Sequence, residues 1–249
     1  MKLKEFESKK LLLDEDIPLS EGILIDSVES VRSFSGKKML KVQVTANGRG
    51  KAGGIFAVNY EEAKAKVGNF LGKEFLGEKV TEILLDELID IEKELYLAVL
   101  FDTTKRCPVI VFSEEGGIDI EMTKNKTMAY VDYTKGITDE VLGNFPGSLH
   151  EIIKKLYSCF AKFDCRVIEI NPLVVTSQDK LVAVDCVAVL DDDANYRREL
   201  KFPPRTNNRE ATKREVDAHK IDEGDHRGVA GKTFIDLEGD IAILTSGGG

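Results

Sequence analysis

An asparagine and an aspartate facing each other across a hairpin carry the first sign of chemistry. Residues 167–175 and 181–187 read as strands joined by the five residues Thr176-Ser177-Gln178-Asp179-Lys180. With a symmetric loop, 175 faces 181, 173 faces 183, and Asn171 lies opposite Asp185. Directly opposed residues hold their Cβ atoms about 5 Å apart on one face. Glu169, two residues before Asn171, shares that face. Three oxygen-bearing side chains thus converge in otherwise apolar strands. Hard oxygen donors suit Mg²⁺, which usually takes one or two protein ligands plus substrate phosphates. A polar edge on a half-exposed sheet is the bland alternative. Ile168, Ile170, Val182 and Val184 mark the other face as core, which leaves the polar face as a cleft and favours the metal.

A second feature is the loop Gly48-Arg49-Gly50-Lys51-Ala52-Gly53-Gly54. It has no GxxxxGK[ST] pattern, and no helix starts at its end, so it is not a P-loop. Its glycines would let backbone N–H groups wrap an anion, with Arg49 and Lys51 adding charge. A flexible hairpin tip is the alternative. The preceding strand adds weight: Leu40, Val42 and Val44 alternate with Lys41 and Gln43, which point away from the core toward whatever the loop covers. A lysine there can meet a nucleotide phosphate as a point charge. Asp86 and Glu94 lie near strand ends, where an acid can accept hydrogen bonds from ribose hydroxyls; singly, each reads equally as a turn residue. His150, His219 and His226 have no serine or cysteine partner at a recognisable spacing and read as surface residues.

The elements around these residues alternate irregularly between helix and strand. Helices are expected over 4–14, from Ser27, over 60–71 behind an Asn59–Glu62 capping box, over 149–163, over 195–200 behind Asp191-Asp192-Asp193, and over 209–220. Strands are expected at 22–25, 39–45, 55–58, 80–86, 93–102, 109–112 and 118–121. Residues 93–102 are nearly continuously apolar, as in a strand buried on both faces. The fold class is α+β. The last segment, 240–249, reads as a buried strand entering a glycine loop, where a Rossmann-like unit would continue into a helix. A fragment cut at the entry to a second α/β domain is the expectation.

Composition narrows the function classes. The chain has 249 residues, 42% of them hydrophobic, and a net charge of −9. That balance argues against nucleic acid as a partner, which needs a basic patch or stripe. Cys107, Cys159, Cys165 and Cys186 sit in apolar segments without CxxC spacing, as reduced thiols in a cytosolic or equivalent reducing compartment would. No signal pattern and no membrane-length apolar run is present, so no membrane role is expected.

Taken together, "KVQVTANGRGKAGG" at 41–54, "KELYLAVLFD" at 93–102, "EEGGIDIE" at 114–121, "VIEINPLVVT" at 167–176, Asp185 and "DDANYR" at 192–197 resemble the succinyl-CoA synthetase (succinate–CoA ligase) β-subunit family. The resemblance implies an ATP-grasp fold of two α+β subdomains over 1–236, with 21–99 as the inserted glycine-loop subdomain. It makes 237–249 the start of a C-terminal flavodoxin-like CoA-ligase domain. It places Lys41, Gly48, Arg49 and Gly50 on the phosphates of ATP, ADP or GTP. Asp86 and Glu94 fall at nucleotide-contacting positions, although the family has Glu where Asp86 stands. Asn171 and Asp185 match Mg²⁺ ligands, and Glu169 matches an acid that helps position a phosphohistidine.

That phosphohistidine belongs to a partner α subunit, which also binds CoA. The implied reaction is reversible: the nucleotide phosphorylates the histidine, the phosphoryl group passes to a carboxylate, and CoA displaces it. The substrate is a small dicarboxylate or tricarboxylate. Ser246-Gly247-Gly248-Gly249 stands where the family has Asn-Gly-Ala-Gly, and looks more like citryl-CoA synthetases and ATP-citrate lyases. A non-catalytic nucleotide-binding module is the third alternative.

Overall fold

The computed structural model describes residues 1–117, 125–203, 205–206, 209–221, 234–237 and 239–243. They form two compact units, Met1–Phe202 and Pro203–Gly249. The strand expected at 118–121, His226 and the glycines at 247–249 lie outside the described residues.

The first unit opens with helix α1 (Glu5–Asp14), then strands β1 (Gly22–Ile25), β2 (Lys38–Val42) and β3 (Ile55–Val58), helix α2 (Tyr60–Phe70), the short pair β4 (Glu74–Phe75) and β5 (Glu78–Lys79), and β6 (Ile83–Glu87). It continues with β7 (Lys93–Asp102), β8 (Cys107–Ser113), β9 (Thr127–Tyr130), α3 (Asp139–Leu142), α4 (His150–Lys162), β10 (Cys165–Val175), β11 (Leu181–Ala183) and β12 (Cys186–Leu190). Two antiparallel sheets result. One has the order β1-β6-β2-β3; the other runs β11-β10-β7-β8-β9, with β12 also on β10.

Each sheet has its own core. On the four-stranded sheet, Leu40, Val42 and Val58 pack with Ala63 and Val67 of α2. Helix α2 starts as expected: Glu62 N donates to Asn59 Oδ1 at 3.0 Å, and Asn59 N donates to Glu62 Oε2 at 2.9 Å. On the six-stranded sheet, Ile152, Ile153, Leu156 and Phe160 of α4 cover Leu97, Val99, Ile168 and Ile170. The helical spacing in the sequence required that apolar face. Helix α1 contributes Leu11 and Leu12 to this second core, while its first turn faces the other sheet.

The structure departs from several expectations. Lys41 and Gln43 are buried, so β2 is covered on both faces instead of half-exposed. No helix starts at Ser27. There the Ser30 hydroxyl donates to Ser27 O at 2.8 Å and the Ser27 hydroxyl pairs with it at 3.1 Å, an alternative to helical bonding. Asp191 does cap a helical turn, through Asp193 N at 3.1 Å, but only a single 3₁₀ turn, Asp192–Ala194, follows it. Cys159, Cys165 and Cys186 are buried, and burial pushes the Cys165 thiol up to about 12.

In the second unit, residues 205–206 and 209–210 form strands β13 and β14, so the final helix, α5, starts only at Lys213 and runs to Ile221. Glu215 on α5 accepts from Asp236 N at 2.9 Å. Ile241 and Ile243 are 86% and 85% exposed and lie in no strand. Over 240–243 the expected buried strand is not formed, and the rest of that segment lies outside the described residues.

Candidate functional site

Strand β10 is bent where the chemistry lies. Against β7 its register slips by one residue: Ile170 faces Leu97, but Leu173 faces Leu95. Against β11 and β12 the register is continuous from Val167 onward, with Leu173 opposite Ala183 and Ile170 opposite Cys186. Between these pairs Asn171 N donates to Asp185 O at 3.2 Å, so Asn171 does lie opposite Asp185. Pro172 has no N–H with which to continue the ladder, and a bulge at this point re-aims the neighbouring side chains. The core-facing positions switch with it, from Ile168 and Ile170 to Leu173, and from Cys186 to Ala183. Val182 and Val184, expected in the core, are therefore only half-buried.

Glu169 and Asn171 stay together on this bend. Tyr96 of β7 donates its hydroxyl to Glu169 Oε2 at 3.2 Å. Burial pushes the Glu169 carboxyl up; hydrogen bonds to Tyr96 and Asn171 oppose this, and the Asp185 charge adds to it. Asn171 Oδ1 accepts from Gly117 N at 2.6 Å. The Gly116-Gly117 turn comes this close because it has no side chains. A Cβ on Gly116 would run into the Leu95 backbone, and one on Gly117 into the Glu94 carboxylate. Glu94 thus sits at the Asn171 turn.

The cations come from the other sheet and meet an acid that sequence reasoning missed. Glu5, in the first turn of α1, is fully buried. Its Oε1 takes Lys41 Nζ at 2.8 Å and Lys9 Nζ at 3.5 Å, and its Oε2 takes Arg49 Nη1 at 2.7 Å. Lys41 also donates to Asp86 Oδ2 and to Val184 O, both at 2.8 Å. Arg49 reaches Asp185 through Nη2, at 3.1 Å to Oδ1 and 2.8 Å to Oδ2. Asp86 Oδ2 further accepts from Lys9 at 2.6 Å and from Ser20 at 2.8 Å, while its Oδ1 is buried without a partner. Asp86 lies one residue from the end of β6, near a strand end as expected, and is fully buried there. It holds Lys41 and Lys9 in place. Lys41, Arg49, Asp86 and Asp185 are thus brought into one cluster around Glu5.

Gly48 and Gly50 are exposed on the loop beside it. Gly48 adopts φ +79°, and the loop closes on itself through Ala52 N to Gly48 O at 2.9 Å and Gly54 N to Arg49 O at 2.8 Å. Glu78 fixes the loop's start, accepting from Thr45 N at 3.0 Å and Ala46 N at 2.8 Å. Lys2 donates to Asn47 on the same loop. Burial and the nearby Arg49 lower the Lys2 ammonium, against the pull of Glu78, Glu169 and Asp185.

Lys2, Glu5, Lys9 and Glu78 were all legible as charged residues, but not as neighbours. The available signal was helix α1 itself. Its apolar stripe is partial, yet Glu5 and Lys9 stand one turn apart on a helix with polar residues on every side. Such a helix either bridges solvent or buries a polar face.

The Glu5 charge has a consequence for stability. Burial alone would push its carboxyl up, but Lys41, Arg49 and Lys9 outweigh this and hold it well below the usual carboxylate range. A depressed carboxylate contributes fully above its unfolded pKa, here near 4.5, and the contribution is lost as pH falls toward the folded value. Urea unfolding is expected to show stability falling steeply below about pH 4.5. Glu5→Gln should flatten that limb of the profile.

The donor set fits a hard cation. As ligands Asn171 and Asp185 offer oxygen atoms, and a carboxylate has about four lone-pair sites. On Asp185 three of them are used, by the two Arg49 contacts and by Cys186 N at 2.8 Å. Among the described residues no group of three or more His, Cys, Asp or Glu could hold a metal. A two-ligand site completed by phosphates is therefore the form a Mg²⁺ site could take here.

This arrangement has relatives. A family model of the ATP-grasp domain matches residues 2–175. The β subunit of ADP-forming succinate–CoA ligase from Methanocaldococcus jannaschii is 34% identical over 267 residues, covering all of this chain and 68% of that protein. The chain belongs to the ATP-grasp family of succinate–CoA ligase β subunits. The Chlamydia felis β subunit is also 34% identical, over 280 residues and 69% of its length. Among solved structures, the ATP-grasp fold is shared with ATP citrate lyase from Methanothrix soehngenii, solved with citrate and coenzyme A. The TM-score is 0.72 at 22% identity, over 90% of this chain and 60% of that one. An acetyl-coenzyme A synthetase from Ca. Korarchaeum cryptofilum aligns at TM-score 0.58 and 18% identity, over 76% of this chain and 93% of that one. The chain thus spans about two thirds of its curated relatives and less of the citrate lyase. ATP-grasp membership brings nucleotide binding with it. Among the described residues no helix is long and apolar enough to cross a membrane.

Proposed function

We propose that this chain is the nucleotide-binding portion of an acid–CoA ligase β subunit, acting with an α subunit that carries a phosphohistidine and the CoA site. The observation that carries this is the pairing of Asn171 and Asp185 across a bulged hairpin, beside the Lys41–Arg49–Glu5 cluster. When bound, Mg²⁺ supplies charge neutralisation for the developing transition state. The chain's own residues do the rest. Asn171 and Asp185 hold the cation. Lys41, Arg49 and the Gly48–Gly50 backbone orient the nucleotide phosphates, and Glu94 contacts the nucleotide from the Gly117 turn. Asp86 acts through Lys41 and not on the nucleotide. Glu169, its carboxyl raised by burial and steadied by Tyr96, accepts a hydrogen bond from the partner's imidazole and so sets which ring nitrogen is free to react.

Succinate is the substrate favoured by the identity to succinate–CoA ligase β subunits across the whole chain. Citrate is the second reading, supported by the fold shared with a citrate lyase. Two measurements test the proposal. Calorimetry with Mg·ADP should show binding that Asn171→Ala weakens about tenfold or more, the size of one lost charge-assisted contact. Labelled ATP, given to the full-length subunit with its α partner, should yield an acid-labile phosphohistidine. Its absence with both subunits folded would sink the ligase mechanism, and assaying succinate against citrate then settles the acid.

A further inference from the structure

We infer that Arg49 and the metal are alternative partners of Asp185. On this view the guanidinium passes from Asp185 to a nucleotide phosphate as both ligands arrive, pivoting on Glu5. The inference rests on the reading of Asn171 and Asp185 as the metal ligands, and adds an exchange that couples metal to nucleotide. Its basis is the division of labour within one side chain. Nη1 of Arg49 is anchored at 2.7 Å to Glu5 and at 3.2 Å to Val42 O. The Glu5 side chain is fully buried on a helix fixed by Leu11 and Leu12 in the core. Nη2 instead holds both oxygens of Asp185, whose side chain is 21% exposed. One nitrogen is therefore locked and the other lies at the accessible end.

Electrostatics makes the two partners exclusive. A divalent cation on Asp185 would stand within a few ångströms of Nη2, and like charges so close repel strongly in a poorly solvated site. Nη2 must then leave Asp185, and only Nη2 has to move. Lys41 does not share in the exchange, since its ammonium bonds Glu5, Asp86 and Val184 O and not the Asp185 carboxylate that the metal would take. A released Nη2, held close by Nη1 on Glu5, presents a planar donor to a phosphate oxygen. Metal alone must displace Arg49 without compensation. Nucleotide alone finds Arg49 occupied. Together each removes the other's obstacle, which is a positive coupling between two ligands.

The test uses Mn²⁺ as the probe, followed by electron paramagnetic resonance for metal alone, and calorimetry for ADP with and without Mn²⁺. Wild type should bind Mn²⁺ alone weakly, with Mn²⁺ and ADP each tightening the other at least about fivefold. In Arg49→Lys one ammonium can sit on Glu5 or on Asp185 but cannot bridge them. Its Mn²⁺ affinity in the absence of nucleotide should rise about fivefold or more, its Mn·ADP affinity should fall about tenfold, and the coupling should collapse. Opposite signs are the signature, because a general loosening of the site would weaken both. Arg49→Gln, which keeps an amide donor for Glu5, serves if the lysine variant melts early. A folded variant whose affinity for Mn²⁺ alone is unchanged or lower overturns the exchange. Asp185→Asn separates the two levels: if it binds Mn²⁺ as wild type does, the metal assignment itself falls, and the exchange with it.

Discussion

A Glu5→Leu chain is expected to melt about 6–20 °C below wild type. Removing one member of a buried ion cluster costs about 3–5 kcal/mol, because the remaining charges are left in excess. At this chain length each kcal/mol corresponds to roughly 2–4 °C. Here the charges left behind are Lys41, Lys9 and Arg49, all buried and all within 3.5 Å of the Glu5 carboxylate. Adding Lys41→Met to Glu5→Leu should recover part of the loss, since it removes one stranded charge and contacting residues couple. Differential scanning calorimetry of the two variants decides it. A Glu5→Leu midpoint within a degree of wild type would mean that the cluster does not hold the sheets together.

Nucleotide affinity should respond most to Lys41. Lys41→Met removes a buried cation of the first sheet that also reaches Val184 O, and is expected to weaken ADP binding about tenfold to hundredfold, the range for an interaction with a charged group. The loss should be smaller with Mg²⁺ than without, because the Lys41 charge also bears on Asp185 and its removal eases cation binding there. Calorimetry at two Mg²⁺ concentrations checks this. A Lys41→Met chain that binds ADP as tightly as wild type would confine Lys41 to a structural part, alongside Asp86.

The hairpin was legible because its register follows from a five-residue loop, and short-range geometry alone set Asn171 against Asp185. The capping box of α2, the apolar face of α4 and the buried run of β7 were legible for the same reason. What escaped was long-range. Nothing near Glu5 in sequence announces that its partners are Lys41 and Arg49, and nothing near Gly117 announces Asn171. Val182 and Val184 were misplaced because alternation was carried straight through a bulge whose cause, Pro172, stood in the middle of the strand. The place of Asp86 near the end of its strand was legible, but its burial beside Lys9, Ser20 and Lys41 was not, because those partners lie far away in sequence.

Residues 1–3 have a bearing on how the chain folds. Leu3 N donates to Ala188 O at 2.9 Å, Leu190 N donates to Met1 O at 2.8 Å, and Lys2 bridges Val189, so the start of the chain runs beside β12, the last strand of its sheet. Closing so long a loop adds little to the equilibrium cost, which grows only as the logarithm of its length. Its effect is on timing. During synthesis helix α1 must wait for some 180 further residues before its partner strand exists. Until then Glu5 can draw Lys41 and Arg49 from the first sheet, but not Asp185 from the second. The four-stranded sheet is therefore expected to form while the ribosome is still extending the chain, and the cleft to be completed only as the last strand docks, a late event in a topology rich in distant contacts.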